Sequence, residues 1–161
     1  MQSIQCGFVT DLDIPFTESV TVAHQHEFDF IELFMEGPFA NKELTKDLGP
    51  FRRQIVDTDL SLVVHLPFSL DIGSPFDRIR EASVSELSDC LATAAQLDAE
   101  KAVVHPTANV WEKAYDAEEL RPMIIESIRE LDRTASDHGI ELCAENLFGT
   151  AFTIENFDIL L

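Results

Sequence analysis

Three apolar runs in this chain each end in a side chain able to bind a metal ion. They are Leu62-Val63-Val64-His65, Ala102-Val103-Val104-His105 and Ile140-Glu141-Leu142-Cys143-Ala144-Glu145. Short runs of this kind, set between longer stretches of helical periodicity, read as buried strands joined by helical crossovers, the pattern of a parallel sheet. Parallel sheets and barrels collect their ligands and reacting groups beyond the C-terminal ends of the strands. Two imidazoles and a carboxylate at matching strand ends are therefore expected at one mouth.

The rest of the chain keeps the same alternation. Strands are expected at residues 4–9, 28–34, 60–66, 101–105 and 140–145. Helices are expected at 17–26, at 41–57 with a break near Gly49-Pro50, at 75–97 and at 116–138, with a last one at 154–161 behind Thr153. Ser74-Pro75 offers an N-cap followed by proline at the first helical position. Behind it Ile79, Ala82, Leu87, Leu91 and Ala94 recur at helical spacing. After the first strand stands Thr10-Asp11-Leu12-Asp13-Ile14-Pro15, with no glycine-rich turn, which argues against a Rossmann or P-loop nucleotide site. No linker or low-complexity segment divides the chain, so residues 1–161 read as a single domain. Five strands fit two architectures. One is a closed, flavodoxin-like sheet; the other is the first five strands of a (β/α)8 barrel, which ordinarily needs about 250 residues. The ligand pattern favours an incomplete TIM-type barrel, an α/β fold.

Side-chain parity sharpens the expected site. Alternate residues of a strand face opposite sides. His65 then shares a face with Val63, His105 with Val103 and Glu145 with Cys143, while Leu62, Val64 and Leu66 form the apolar side that meets helices. Phe30, Glu32 and Phe34 fall on the inward side of the second strand, which makes Glu32 a fourth polar group there. Imidazole and carboxylate together suit Zn²⁺, Mn²⁺, Co²⁺ or Fe²⁺. Either histidine alone is more simply a strand end satisfied by backbone; the three residues together argue for a metal site. His24, His26 and His138 lie at helix C-termini on the opposite rim, where such residues serve stability. Loops after the strands add Asn109, Trp111 and Tyr115 behind His105, and Asn146, Phe148 and Gly149 behind Glu145. Glu32, Asn146 and Trp111 are the candidate substrate-binding residues: a carboxyl, an amide that can also orient Glu145, and a ring that can exclude water.

Charge narrows the partners. Eleven Lys and Arg stand against thirty Asp and Glu, for a net −19. Such a surface repels nucleic acid and anionic lipid. With only four lysines, it suits very salty solution, where screening removes self-repulsion. A halophilic protein is expected, so its melting temperature should rise as KCl approaches molar concentration; a fall would contradict this. Cys6, Cys90 and Cys143 are odd in number and lack finger spacing, which reads as small core residues in a reducing cytoplasm. No basic-then-apolar leader and no apolar run of the ~18 residues needed to span a bilayer stands in the sequence, so a soluble cytoplasmic protein is expected.

Phe28-Asp29-Phe30-Ile31-Glu32-Leu33, His65-Leu66-Pro67-Phe68, His105-Pro106 and Glu145-Asn146 occur in this order on successive strands. In these residues the chain resembles the xylose isomerase-like (β/α)8 superfamily, which includes sugar isomerases and epimerases and apurinic endonucleases of the endonuclease IV type. The resemblance runs along the whole chain and is more specific for the superfamily than for any member. It implies that Glu145 is a metal ligand that can also take part in proton transfer. It implies that His65 and His105 bind metal as in the endonucleases, or contact substrate as in many isomerase-like members. A divalent metal (Zn, Mn or Co) and a small sugar or sugar phosphate follow from it. The later ligands of the family would lie past Leu161, which implies a half-site completed by a missing C-terminal half or by self-association. The expected activity is that of a metal-dependent isomerase or epimerase moving a proton next to a carbonyl. An apurinic endonuclease is the alternative, opposed by the charge, and a non-catalytic incomplete barrel is the third reading.

Overall fold

Strand order decides between the two architectures. In the computed structural model, which describes residues 4–109, 114–146, 151–152 and 157, five parallel strands pair strictly in chain order. They are β1 (Gly7–Val9), β2 (Phe30–Phe34), β3 (Ser61–His65), β4 (Lys101–Val104) and β5 (Glu141–Ala144). A flavodoxin-like sheet reverses direction after its first strands; this one never does. It is an arc of TIM-barrel wall. Between the strands run α1 (Phe16–Gln25), a 3-10 turn at Gly37–Phe39, α2 (Asn41–Leu44), α3 (Gly49–Val56), α4 (Asp77–Gln96) and α5 (Ala117–Asp137).

The core lies between the sheet and its helices. Ile31, Leu33, Leu62, Val64, Leu66, Ala102 and Val104 are buried on that side. They meet Val84, Leu87, Leu91 and Ala94 of α4 and Leu120, Ile124, Ile128, Leu131 and Ala135 of α5, spaced three and four apart as one helix face requires. Each such Leu or Ile contributes roughly 1.5–3 kcal/mol by leaving water. Phe30, Glu32, Phe34, Ser61, His65, Lys101, Val103 and Cys143 point the other way and are only partly covered. Val63, on the same side, is buried.

Residues in the left-handed region turn α1, α4 and α5 back to the sheet: Glu27 (φ 55°), Asp98 (φ 62°) and Gly139 (φ 74°). That conformation ends a helix while pairing its last carbonyls. His24, His26 and His138 are exposed at these ends, as expected.

Several local expectations are corrected. The chain is helical from Asp77 rather than Pro75, because the Ser74 hydroxyl accepts the Phe76 N–H (3.4 Å) instead of capping a helix. Arg80 is largely covered and donates to the Ser74 carbonyl at 2.7 Å. Ile79 is 53% exposed and Ala82 is exposed, so the buried stripe of α4 starts at Ser83 and Val84. The 41–57 segment, by contrast, breaks before Gly49-Pro50 as expected, with the Asp47 carboxylate accepting the Gly49 N–H (3.0 Å) at the break. The first helix starts at Phe16, and the first strand is only Gly7–Val9. Cys6 is exposed rather than in the core; Cys90 is buried, and burial pushes its thiol up to about 12. The helix expected at 154–161 lies outside the described residues except for position 157. Among the described residues no helix is long and apolar enough to cross a membrane.

Candidate metal centre

The register brings the three strand ends together. His65, the last residue of β3, is level with Phe34 of β2 and Val103 of β4, and Val103 is level with Cys143 of β5. His105 and Glu145 each stand one inward position further along. The Glu145 N–H donates to the Val104 carbonyl (2.9 Å), which extends the ladder to the ligand itself. Three adjacent strands therefore present three donors at one mouth.

The donor atoms converge. His65 Nε2 lies 3.1 Å from His105 Nε2, and His105 Nε2 lies 3.1 Å from Glu145 Oε2. His65 Nε2 to Glu145 Oε2 is 3.6 Å. A tetrahedral ion with bonds of about 2.0–2.1 Å separates its ligands by about 3.3–3.4 Å, and the observed separations bracket that value. His65 Nδ1 is 3.0 Å from the Leu66 carbonyl, to which it donates, leaving the Nε2 lone pair pointing at the centre. Burial lowers the affinity of the His105 imidazole for a proton; the hydrogen bond to Glu145 opposes that shift and the neighbouring His65 adds to it. A neutral imidazole is the form that binds metal. Among the described residues His105 Nδ1 has no hydrogen-bond partner, so Nε2 carries this ring's hydrogen bonds. The histidine side chains are 12% and 10% exposed and Glu145 is 52% exposed, so the open position of the set is on the carboxylate side. Three converging donors are the minimum that a catalytic metal site requires of its protein.

Glu32 is level with Val9 and Val63, one inward position below Phe34. Burial pushes its carboxyl up, the His65 imidazole draws it down, and the Glu145 carboxylate pushes it up again. It shares the field of the centre but is not one of the converging donors. Asn146 is exposed beside Glu145. Trp111, Phe148 and Gly149 lie outside the described residues. Asn109 donates its backbone N–H to the Asp71 carboxylate at 3.0 Å, and Tyr115 packs partly buried against the core.

Two phenyl rings meet these imidazoles, and the loop at 67–74 beside His65 is, by sequence, a candidate for an aromatic that shields substrate. Phe34 stands edge-on to His65 (5.0 Å between centroids) and Phe68 lies 6.1 Å from His105. Phe34 was legible as an inward residue of β2. Phe68 is in a loop, where no periodicity reports direction.

Residues 20–160 match a protein family described as xylose isomerase-like TIM barrel. An uncharacterized protein of Methanocaldococcus jannaschii is 30% identical over 135 residues, which is 81% of this chain and 44% of that protein. A D-tagatose 3-epimerase-like protein superposes with a TM-score of 0.75 at 27% identity, covering 98% of this chain and 60% of that one. A D-psicose 3-epimerase, crystallised with D-fructose, superposes with a TM-score of 0.77 at 18% identity over 94% of this chain and 55% of that one, a likeness of fold. The chain thus spans about half the length of the proteins it matches.

Proposed function

Since the chain belongs to the xylose isomerase-like TIM barrel family, we propose that it serves a metal-dependent isomerase or epimerase of small sugars, with the ion held by His65, His105 and Glu145. The observation that carries this reading is the convergence of those three donors at the mouth of the barrel wall. A bound divalent cation supplies Lewis acidity toward a carbonyl oxygen. The protein's own groups supply the rest. His65, locked in one tautomer by Leu66, fixes one donor direction. Glu145 faces the imidazoles through Oε2, and its Oε1 is the base that takes the proton from the carbon next to the carbonyl and returns it. Glu32, whose carboxyl burial pushes up, hydrogen-bonds a substrate hydroxyl from the position below Phe34. Asn146 and Trp111 complete the substrate contacts in this reading. β1 and β5 carry unpaired edges among the described residues, which supports pairing with further strands or a second copy. The acidic surface supports a cytoplasm of high salt.

The test is proton exchange. The full chain, loaded with Mn²⁺ or Zn²⁺ in heavy water, is expected to exchange the proton next to the carbonyl of a ketohexose, followed by NMR, and to lose that exchange on chelation and in Glu145→Gln. Metal binding without exchange in any aldose or ketose, alongside metal-dependent nicking of an abasic oligonucleotide, would replace this reading with the endonuclease one.

A further inference from the structure

We infer that Phe68, seated on Phe34, touches the substrate and selects the C–H face of a sugar; the inference rests on the sugar reading above. Rings close a circuit at the mouth. Phe68 stacks on Phe34 with centroids 5.8 Å apart and planes 16° apart. Phe34 meets His65 edge-on at 85°, and His65 meets His105 at 4.7 Å and 81°. Phe68 returns to His105 at 54°. The imidazoles aim Nε2 at the ion position, and the phenyl rings form the flank beside it.

A single exposed phenylalanine carries no functional meaning. Phe68 differs because it is 51% exposed yet held. Leu66, two residues before it, is buried. Ser69, the residue after it, donates its N–H (3.3 Å) and its hydroxyl (2.9 Å) to the Glu36 carboxylate. The loop is thus anchored on both sides of the ring, and Phe34 supports the ring from beneath. Leaving half of a phenyl ring in water forgoes part of the roughly 1.5–3 kcal/mol its burial would contribute. Covering by a ligand recovers it.

The chemistry of the surroundings identifies the ligand class. A sugar carries hydroxyls on its edges and weakly positive C–H hydrogens on its faces. The negative face of an aromatic ring attracts such hydrogens. The hydroxyls find carboxylate acceptors in Glu145 and Glu32, and an apolar wall with a few convergent polar groups is the usual build of a small-molecule site. A nucleobase also stacks on phenyl rings, but its strand would bring phosphates toward Glu32, Glu36, Asp71 and Glu145.

Calorimetric titration of the Mn²⁺-loaded full chain with D-fructose and D-tagatose decides it. Phe68→Ala is expected to weaken binding about fivefold to tenfold, and Phe68→Leu nearly as much, because leucine keeps bulk but has no ring face. Phe68→Tyr should bind within about twofold of the parent, and all three variants should bind Mn²⁺ alike. Unchanged affinity in Phe68→Ala, or full affinity in Phe68→Leu, overturns the role of the ring while leaving the sugar reading intact. If the parent binds the ion but neither sugar, both fail. Loss of abasic-oligonucleotide binding in Phe68→Ala with sugar affinity intact assigns the ring to a base instead.

Discussion

His105→Ala is expected to abolish divalent metal binding, with affinity for Zn²⁺ or Mn²⁺ falling more than about a hundredfold in calorimetric titration. Partners that merely orient a ligand cost about 10–100-fold when removed, and His105 is itself a donor in the middle of the set. Its Nε2 is within 3.1 Å of both other donor atoms, whereas those two are 3.6 Å from each other. Without it a two-donor remnant is left, below the three protein groups of a catalytic site. Among the described residues the ring makes no hydrogen bond through Nδ1, so the substitution breaks no structural hydrogen bond outside the donor set. Circular dichroism on the same sample checks that the fold is kept. His138→Ala, at the exposed end of α5, is the control and should bind like the parent. Metal affinity in His105→Ala equal to that of the parent would remove the proposed centre.

Gly73→Ala should cost about 3 kcal/mol or more in chemical denaturation. A Cβ at this position would lie 2.5 Å from Ile124 Cγ1, 2.7 Å from Ala108 Cβ and 2.8 Å from the Thr107 carbonyl oxygen. Overpacking of this kind costs typically 1–3 kcal/mol, and here a backbone atom is among those that must move. The strap around Gly73 cannot simply swing outward. The Ser127 hydroxyl donates to the Ile72 carbonyl (2.7 Å), and Asp71 accepts from Asn109 at 3.0 Å while its own N–H donates to Ser83 at 3.1 Å. Gly139→Ala is the comparison. Nothing lies within 4 Å of its Cβ, so only the left-handed backbone (φ 74°) is at issue, worth about 1–2 kcal/mol. Equal losses in the two variants would mean that the strap yields.

Much of this was legible in the chain itself. Val63, Val64, Val103 and Val104 announced strands, and their parity with His65 and His105 put both imidazoles on the inward face. What the sequence could not supply was order in the sheet, because strand neighbours depend on long-range pairing; the sequential order settled the barrel against the flavodoxin-like alternative. Local chemistry misled where a tertiary partner intervened. Ser74 and Pro75 read as a helix start, but the Arg80 guanidinium holds the Ser74 carbonyl and the chain is helical only from Asp77. Ile79 matched the helical period yet faces solvent, since periodicity gives a stripe without saying where along the helix the sheet ends. The loop carrying Phe68 was legible as part of the mouth, but not the direction of its ring, because the loop is tied through Ser69 to Glu36, more than thirty residues away in sequence.

The strictly sequential pairing of β3, β4 and β5 also bears on the order of assembly. Each donor stands on a strand bonded directly to the strand of the next, at the ~4.8 Å spacing of any sheet. Closing the barrel is therefore not needed to bring the donors together. A chain of 145 residues already carries all three, and an ion bound at the proposed site would tie three strands to one another without barrel closure. At a free concentration one hundred times its dissociation constant, such an ion would add about 2.7 kcal/mol to that structure. If the proposed site binds its ion, that ion would clamp the fold before it serves as a reagent.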